Sequence, residues 1–409
     1  MKLAVIAGMM IATPLVASAY DVKQTTGGQD VHWADGVVTF HPAFSMTPSS
    51  VTSDQASTEL ATSISTWQTA LADTGVMVAL ASDAATAAPH VNDGVNTVRF
   101  AMTAGDPDIE PGVLGLTFIA YRQSDGLAVD ADVVLNAVDF TWTTGEAACV
   151  KEYDVQSAMT HELGHALGMA HSIGHPEATM YATGQACETT KRVLASDDKA
   201  GLASIYAAPK DASPGGGCAS SSPTSGALFG VALALLAISR RRKAGIAIAG
   251  VLAVAPAHAA QLRRLDPTDL ARDAVMVIRG HVTEVAAADD AAFETDSVVV
   301  VDACLAGACP EVATVRRRGG ERDGIVVDVD AEAKAAPGDE VVMYLRQDRG
   351  GHLRVLGGVQ GLWQVVRGTP GKDDVAVRDL RGESVRVADH WEAGELEIVA
   401  VAKLPRRVR

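Results

Sequence analysis

The sequence predicts an α+β fold for residues 20–210 and a small β-barrel or sandwich for residues 261–409, with two apolar helical segments between them. Three observations carry this. Helical patterns are interspersed with strand candidates in the first part. Short β-runs separated by turns fill the last part. From Cys218 to Ser239 no residue is charged.

The elements follow in order. Lys2, the apolar run Leu3 to Val16 and the small-residue site Ala17-Ser18-Ala19 predict a signal peptide over residues 1–19. Export would place the rest in an oxidising compartment. In residues 53–72, Leu60, Ile64, Trp67 and Leu71 recur at three- and four-residue spacing, an amphipathic helix that Ser53 or Asp54 could cap. Val76 to Leu80 and Thr97 to Met102 read as strands, and Val133 to Leu135 sits in a third. Residues 211–225 form a Gly/Ser/Pro linker. Residues 226–239 are an apolar sorting or transmembrane segment, and Arg240 to Lys243 is a basic cluster. That cluster also opens a second signal-like segment, residues 240–260, ending in Ala257-His258-Ala259. Residues 226–257 are therefore the expected membrane contact. Either a helical hairpin anchors two extracytoplasmic domains, or two exported proteins are joined in one reading frame. In residues 261–409, short β-runs such as Ser297 to Val301 and Glu340 to Leu345 alternate with turns such as Pro337-Gly338-Asp339. Arg316 to Arg318 reads as a solvated turn.

The chain has 409 residues and a net charge of −16, which argues against a general nucleic-acid binder. Residues 20–217 hold 8 basic and 24 acidic side chains, and residues 218–409 hold 25 and 26, so the negative charge belongs to the first part. Five cysteines are too few for a disulfide scaffold. Cys149 and Cys187 flank the helix described next, and Cys304 and Cys309 bracket a four-residue loop; in an exported chain both are candidate pairs.

Residues 161–171 read HELGHALGMAH. A helix puts His161 and His165, four apart, on one face. Glu162 projects beside them, placed to act on a metal-bound water rather than to bind the metal. Gly168 can adopt a left-handed conformation, end the helix and bring His171 round as a third ligand. Three neutral imidazoles leave a position of zinc open, the arrangement of a catalytic site. Asp154 is the expected cap of this helix.

This is the HExxHxxGxxH pattern, and the segment resembles the metzincin metalloproteases. Met180, in HPEATMYATG, lies where that clan has its Met-turn. Thr-Met-Tyr there and LASDDKAGLASIY (194–206) resemble the matrixin branch. The resemblance implies a zinc-dependent endopeptidase with a five-stranded sheet over helices and a polypeptide substrate along an edge strand. By analogy residues 130–136 would be that strand. No cysteine-switch segment lies between residues 20 and 150. Asp106, Asp108, Glu110, Asp125, Asp130 and Asp132 could bind Ca2+, but no EF-hand-like spacing exists, and a solvated acidic loop is the expectation. Gly-Cys218, the apolar run and the arginines resemble the MYXO-CTERM sorting tail of exported myxobacterial proteins, which makes Cys218 a processing candidate for a sorting protease. The expectation is a secreted or envelope-anchored zinc endopeptidase with Glu162 as general base. The alternative is a catalytically silent surface binding protein with the same fold.

Overall fold

The computed structural model describes residues 20–206 and 261–405, less residues 87, 91, 146–148, 173–174, 182–183, 264, 291–292, 331, 369–372, 381–383, 388–389 and 394–395. The signal peptide, the linker, Cys218, both apolar segments and the basic cluster lie outside the described residues. Among the described residues no helix is long and apolar enough to cross a membrane.

The first half is a mixed sheet under two long helices. Its strands are β1 (Gly36–Pro42), β2 (Val76–Leu80), β3 (Asn96–Ala101), β4 (Gly115–Arg122) and β5 (Ala128–Asn136), followed by the short β6 (Trp142–Thr143) and β7 (Tyr153–Asp154). Helix α1 (Ser53–Ala70) is the crossover between the parallel strands β1 and β2, as parallel pairing requires. Its cap is Thr52 rather than Ser53 or Asp54. The Thr52 hydroxyl accepts from Gln55 N at 3.2 Å while the Gln55 side chain accepts from Thr52 N at 2.9 Å, satisfying two orphan amides at once. The expected apolar positions Leu60, Ile64, Trp67 and Leu71 are all buried. Helices α2 (Val155–Ala166) and α3 (Ser196–Tyr206) complete this half.

The second half contains β8 (Gln261–Arg263), helix α4 (Pro267–Asp273), β9 (Met276–Ala287), β10 (Glu294–Ala306), β11 (Val312–Arg318), β12 (Gly320–Arg322), β13 (Ile325–Val329), β14 (Glu340–Gln347), β15 (Leu353–Val355), β16 (Leu362–Val366), β17 (Val375–Asp379), β18 (Ser384–Val387), β19 (His390–Ala393) and β20 (Leu396–Ala400). Strand β15 pairs with both β11 and β14, which closes β15-β11-β10-β9-β14 into the expected small barrel. Strands β16, β17 and β20 continue from β14, while β18 pairs with β8 and β19.

The hairpin β12–β13 does not join that barrel. It extends the first half's sheet, in the order β12-β13-β4-β5-β3-β1-β2. Strand β13 runs antiparallel to β4, from Ile325 opposite Arg122 to Val329 opposite Phe118. Side chains of β4 alternate between two cores, as the period of a strand demands. Ile119 and Tyr121 enter the core under α1 and α2, while Leu116, Phe118 and Ala120 pack with Val327 and Val329. The two halves fall in one compact unit.

Charged pairs line the same seam. Lys23 donates to Asp328 at 2.9 Å and to Asp330 at 2.7 Å. Burial pulls its ammonium toward neutrality, but the two carboxylates outweigh this and hold it charged. Glu110 accepts from Arg318 at 2.9 Å, from Arg346 at 2.7 Å and from Gly357 N at 3.0 Å.

Three sequence expectations change here. Residues 130–136 are not an edge, because β5 lies between β4 and β3; of the first half's strands, β4 is outermost on that side and β2 on the other. Nor do the acidic residues form a solvated loop. Asp106 and Asp108 clamp Arg99, Glu110 is held by two arginines, and Asp130 and Asp132 lie buried on β5; only Asp125, paired with Arg122, is exposed. Finally, Arg316 and Arg318 are buried strand residues in ion pairs with Asp296 and Glu332, not a solvated turn. For Glu110, Arg316 and Arg318 a partner distant in sequence compensates the charge, and sequence neighbours do not reveal it, whereas burial and neighbouring Asp132 raise the Asp130 pKa to about 8.

Candidate metal centre

The site is built on α2. Asp154 caps it, its carboxylate accepting from Ser157 N at 2.8 Å and pairing with Arg192. Every residue of this helix is buried, because α1 covers one side and β4 and β5 another. Trp67 of α1 donates to Thr160 O at 2.7 Å and fixes the approach of the two helices. Gly164 lets them close: a Cβ there would stand 2.2 Å from Met180 Sδ and 2.7 Å from Trp67 Cζ2. Met180 therefore lies directly beneath the helix turn that carries the two histidines.

The helix stops at Gly168, whose φ is +91°. A Cβ at this position would also lie 2.1 Å from Val31 O. The chain turns back and brings His171 to the other two rings. The three Nε2 atoms are mutually 2.9, 3.1 and 3.1 Å apart. The Nδ1 atoms of His161 and His165 lie 2.7 Å from Thr179 O and 2.9 Å from Met169 O, so each Nδ1 carries the proton and donates it. Their Nε2 lone pairs then point at one another with no proton between them. Burial holds both rings below their ordinary pKa and so neutral. A zinc–nitrogen bond is about 2.0–2.1 Å, so three nitrogens at this spacing can all reach one ion. The donor set fits zinc.

Gly168→Ala should release this arrangement. Left-handed strain alone costs about 1–3 kcal/mol for a residue with a side chain, before the clash with Val31 O. The variant is expected to melt earlier and to yield zinc to a weaker chelating dye than the wild type does. Equal melting and equal zinc retention would refute the role given to this turn.

Glu162 lies in the same pocket. Thr117 of β4 donates to its Oε2 at 2.7 Å, and a Cβ on Gly115 would stand 2.6 Å from its Oε1. No cation pairs with it among the described residues. Burial raises its pKa to about 8, against the opposing Thr117 hydrogen bond. Lys191, on the loop before α3, donates to Thr179 O at 3.0 Å and also to Tyr181 O. Burial lowers its pKa to about 8.

Residues 100–207 match the matrixin family model. The first half of the chain is thus similar to matrixins over those residues. It is 31% identical over 112 residues to human neutrophil collagenase, covering 27% of this chain and 22% of that protein. Rat matrilysin is 38% identical over 87 residues, covering 21% of this chain and 30% of that protein. The chain thus spans less than a third of either relative's length. Matrixins are zinc-dependent, and the three histidines supply the matching ligand set.

The structure brings together Glu162, His161, His165, His171, Gly168 and Met180. It joins Cys149 to Cys187, which ties the entry to α2 to the loop after Met180, and Cys304 to Cys309 in the barrel. Three contributors escaped sequence reading. Asp198 of α3 accepts from Thr179 N and Met180 N, both at 2.8 Å, and so pins the Met180 turn. Its signal was the acidic pair at the start of that helix. Thr117 sits in an apolar strand with nothing to mark it. Asp330, 3.9 Å from His165 Nδ1, comes from the second half altogether.

Proposed function

We propose that the matrixin-like half is a zinc endopeptidase that hydrolyses polypeptides with Glu162 as general base. The observation that carries this is the state of Glu162. A buried carboxylate is costly unless a cation or several donors compensate it, yet Glu162 has one hydroxyl donor to its carboxylate and is retained beside three converging imidazoles. Thr117 holds Oε2 and leaves Oε1 free. Positive charge held by the three imidazoles would draw the Glu162 pKa back down, and the ionised Oε1 would then accept the proton of the attacking water and return it to the leaving amine nitrogen. Bound zinc supplies Lewis-acid polarisation and lowers the pKa of water. His161, His165 and His171 hold the metal; Met180 and Gly168 position them. The substrate lies as an extended strand along β4, where main-chain pairing gives affinity and side-chain pockets give specificity.

The signal-like residues 1–19 support export, and the two disulfides suit an oxidising compartment. Residues 226–257 would provide the envelope anchor, with Cys218 as the point of processing.

The test is zinc content and casein cleavage. The folded chain should carry about one zinc per molecule, and 1,10-phenanthroline should stop cleavage reversibly, with zinc restoring it. A folded chain that takes up no zinc would overturn the reading. So would a zinc-loaded chain that leaves casein intact even with β13 displaced as described below.

A further inference from the structure

We propose that strand β13 and Asp330 occupy the polypeptide-binding edge of the matrixin-like half, so that residues 320–330 act as a built-in inhibitor that extended substrates must displace. This rests on the function proposed above and adds its regulation.

The argument starts from the sheet. Strand β4 borders Glu162 through Thr117 and Gly115, and among the first half's own strands it is outermost on that side, as β2 is on the other. An outer strand offers a row of unpaired amides and carbonyls to an extended peptide. Here β13 takes that row from Phe118 to Arg122 in antiparallel register. Extending the register one residue past the Val329–Phe118 pair puts Asp330 opposite Thr117, the residue that holds Glu162. The Asp330 carboxylate is buried there. Its Oδ1 is bound by Lys23, and its Oδ2 has no hydrogen-bond partner among the described residues. Oδ2 lies 3.9 Å from His165 Nδ1. The hairpin thus ends beside Thr117 and on the Nδ1 side of His165, next to residues 115–117, where a substrate backbone would pass Glu162.

The hairpin stands apart from the cores of the barrel. Val327 and Val329 belong to the core shared with Leu116, Phe118 and Ala120, not to the two cores of the barrel. Its other holds are Val326 against the core under α1 and α2, Ile325 beside Val327 and Val329, and Lys23 with Asp328 and Asp330. The five-pair ladder of β13 on β4 is the same kind of main-chain attachment that an extended peptide makes, so one can take the place of the other.

The experiment uses the full chain with two independent hairpin variants, V327D/V329D and D328N/D330N, each with Glu162 intact and with E162A. In the E162A forms, binding of fluorescein-labelled casein is followed by anisotropy, and amide exchange is followed over residues 118–122. Displacement should tighten casein binding at least 10-fold and speed exchange at those amides. With Glu162 intact, casein cleavage should rise by a similar factor. If both variants open the 118–122 amides and casein binding stays unchanged, β13 is merely structural and the proposal fails. If the amides stay protected in both, the attachment is not the one described and the proposal also fails. If binding tightens but no Glu162-bearing form cuts, occlusion of the edge stands and the protease reading falls.

Discussion

Glu162→Gln in the chain with β13 displaced is expected to lower kcat/KM for casein-derived peptides by about 10²–10⁴-fold, the usual contribution of a positioned general base. Zinc content should be unchanged. The substitution keeps size and shape, and the amide oxygen still accepts the Thr117 hydrogen bond that now fixes Oε2 at 2.7 Å. What is lost is the basic oxygen on the Gly115 side. Because that interaction is made only as the water attacks, kcat should carry the loss and KM should barely move. Thr117→Val offers a graded comparison. It frees Oε2 and lets the carboxylate wander, so it should cost far less than removing the base. Retention of more than about a tenth of activity by Glu162→Gln would remove Glu162 from the role of base.

The second large effect concerns stability. Glu110→Ala is expected to cost about 3–5 kcal/mol, as removing one partner of a buried ion pair does. Glu110 is 2% exposed, and it compensates Arg318, which is equally buried, together with Arg346 and the amide of Gly357. Glu332 remains on Arg318 after the substitution, but Arg346 loses both of its contacts to Glu110. Urea unfolding reads the loss directly. Burial pushes the Glu110 carboxyl up, but Arg346 and Arg318 outweigh this and hold it below its ordinary 4.5. A depressed carboxyl stabilises the fold fully above pH 4.5, and that contribution is lost as pH falls through the folded value. The wild type should therefore lose more stability than Glu110→Ala between pH 5 and pH 3. Equal acid slopes, or a midpoint that does not move, would show that the seam does not depend on this carboxylate. Arg122, half-exposed and paired with Asp125, is the control whose removal should leave the midpoint where it is.

Sequence alone determined what is local. Two histidines four apart need only a helix to share a face, and Asp154, Gly168 and the buried stripe Leu60, Ile64, Trp67 and Leu71 supplied the helix ends and the packing side. His171 and Met180 were legible because a glycine stop and a short return loop act within about twenty residues. The β-rich character of residues 261–409 was legible from turn spacing and β-branched runs. Tertiary structure alone decided the rest. Which strand is outer depends on pairing order, and β4, not residues 130–136, holds that place because β5, later in the chain, inserts between β3 and β4, parallel to the one and antiparallel to the other. Whether a carboxylate is solvated or buried depends on a partner hundreds of positions away, as with Glu110 and Arg346. The same holds for the hairpin that pairs with β4. Backbone pairing between residues 118–122 and 325–329 uses amides and carbonyls that every residue carries, so no side-chain pattern in either segment could announce the other.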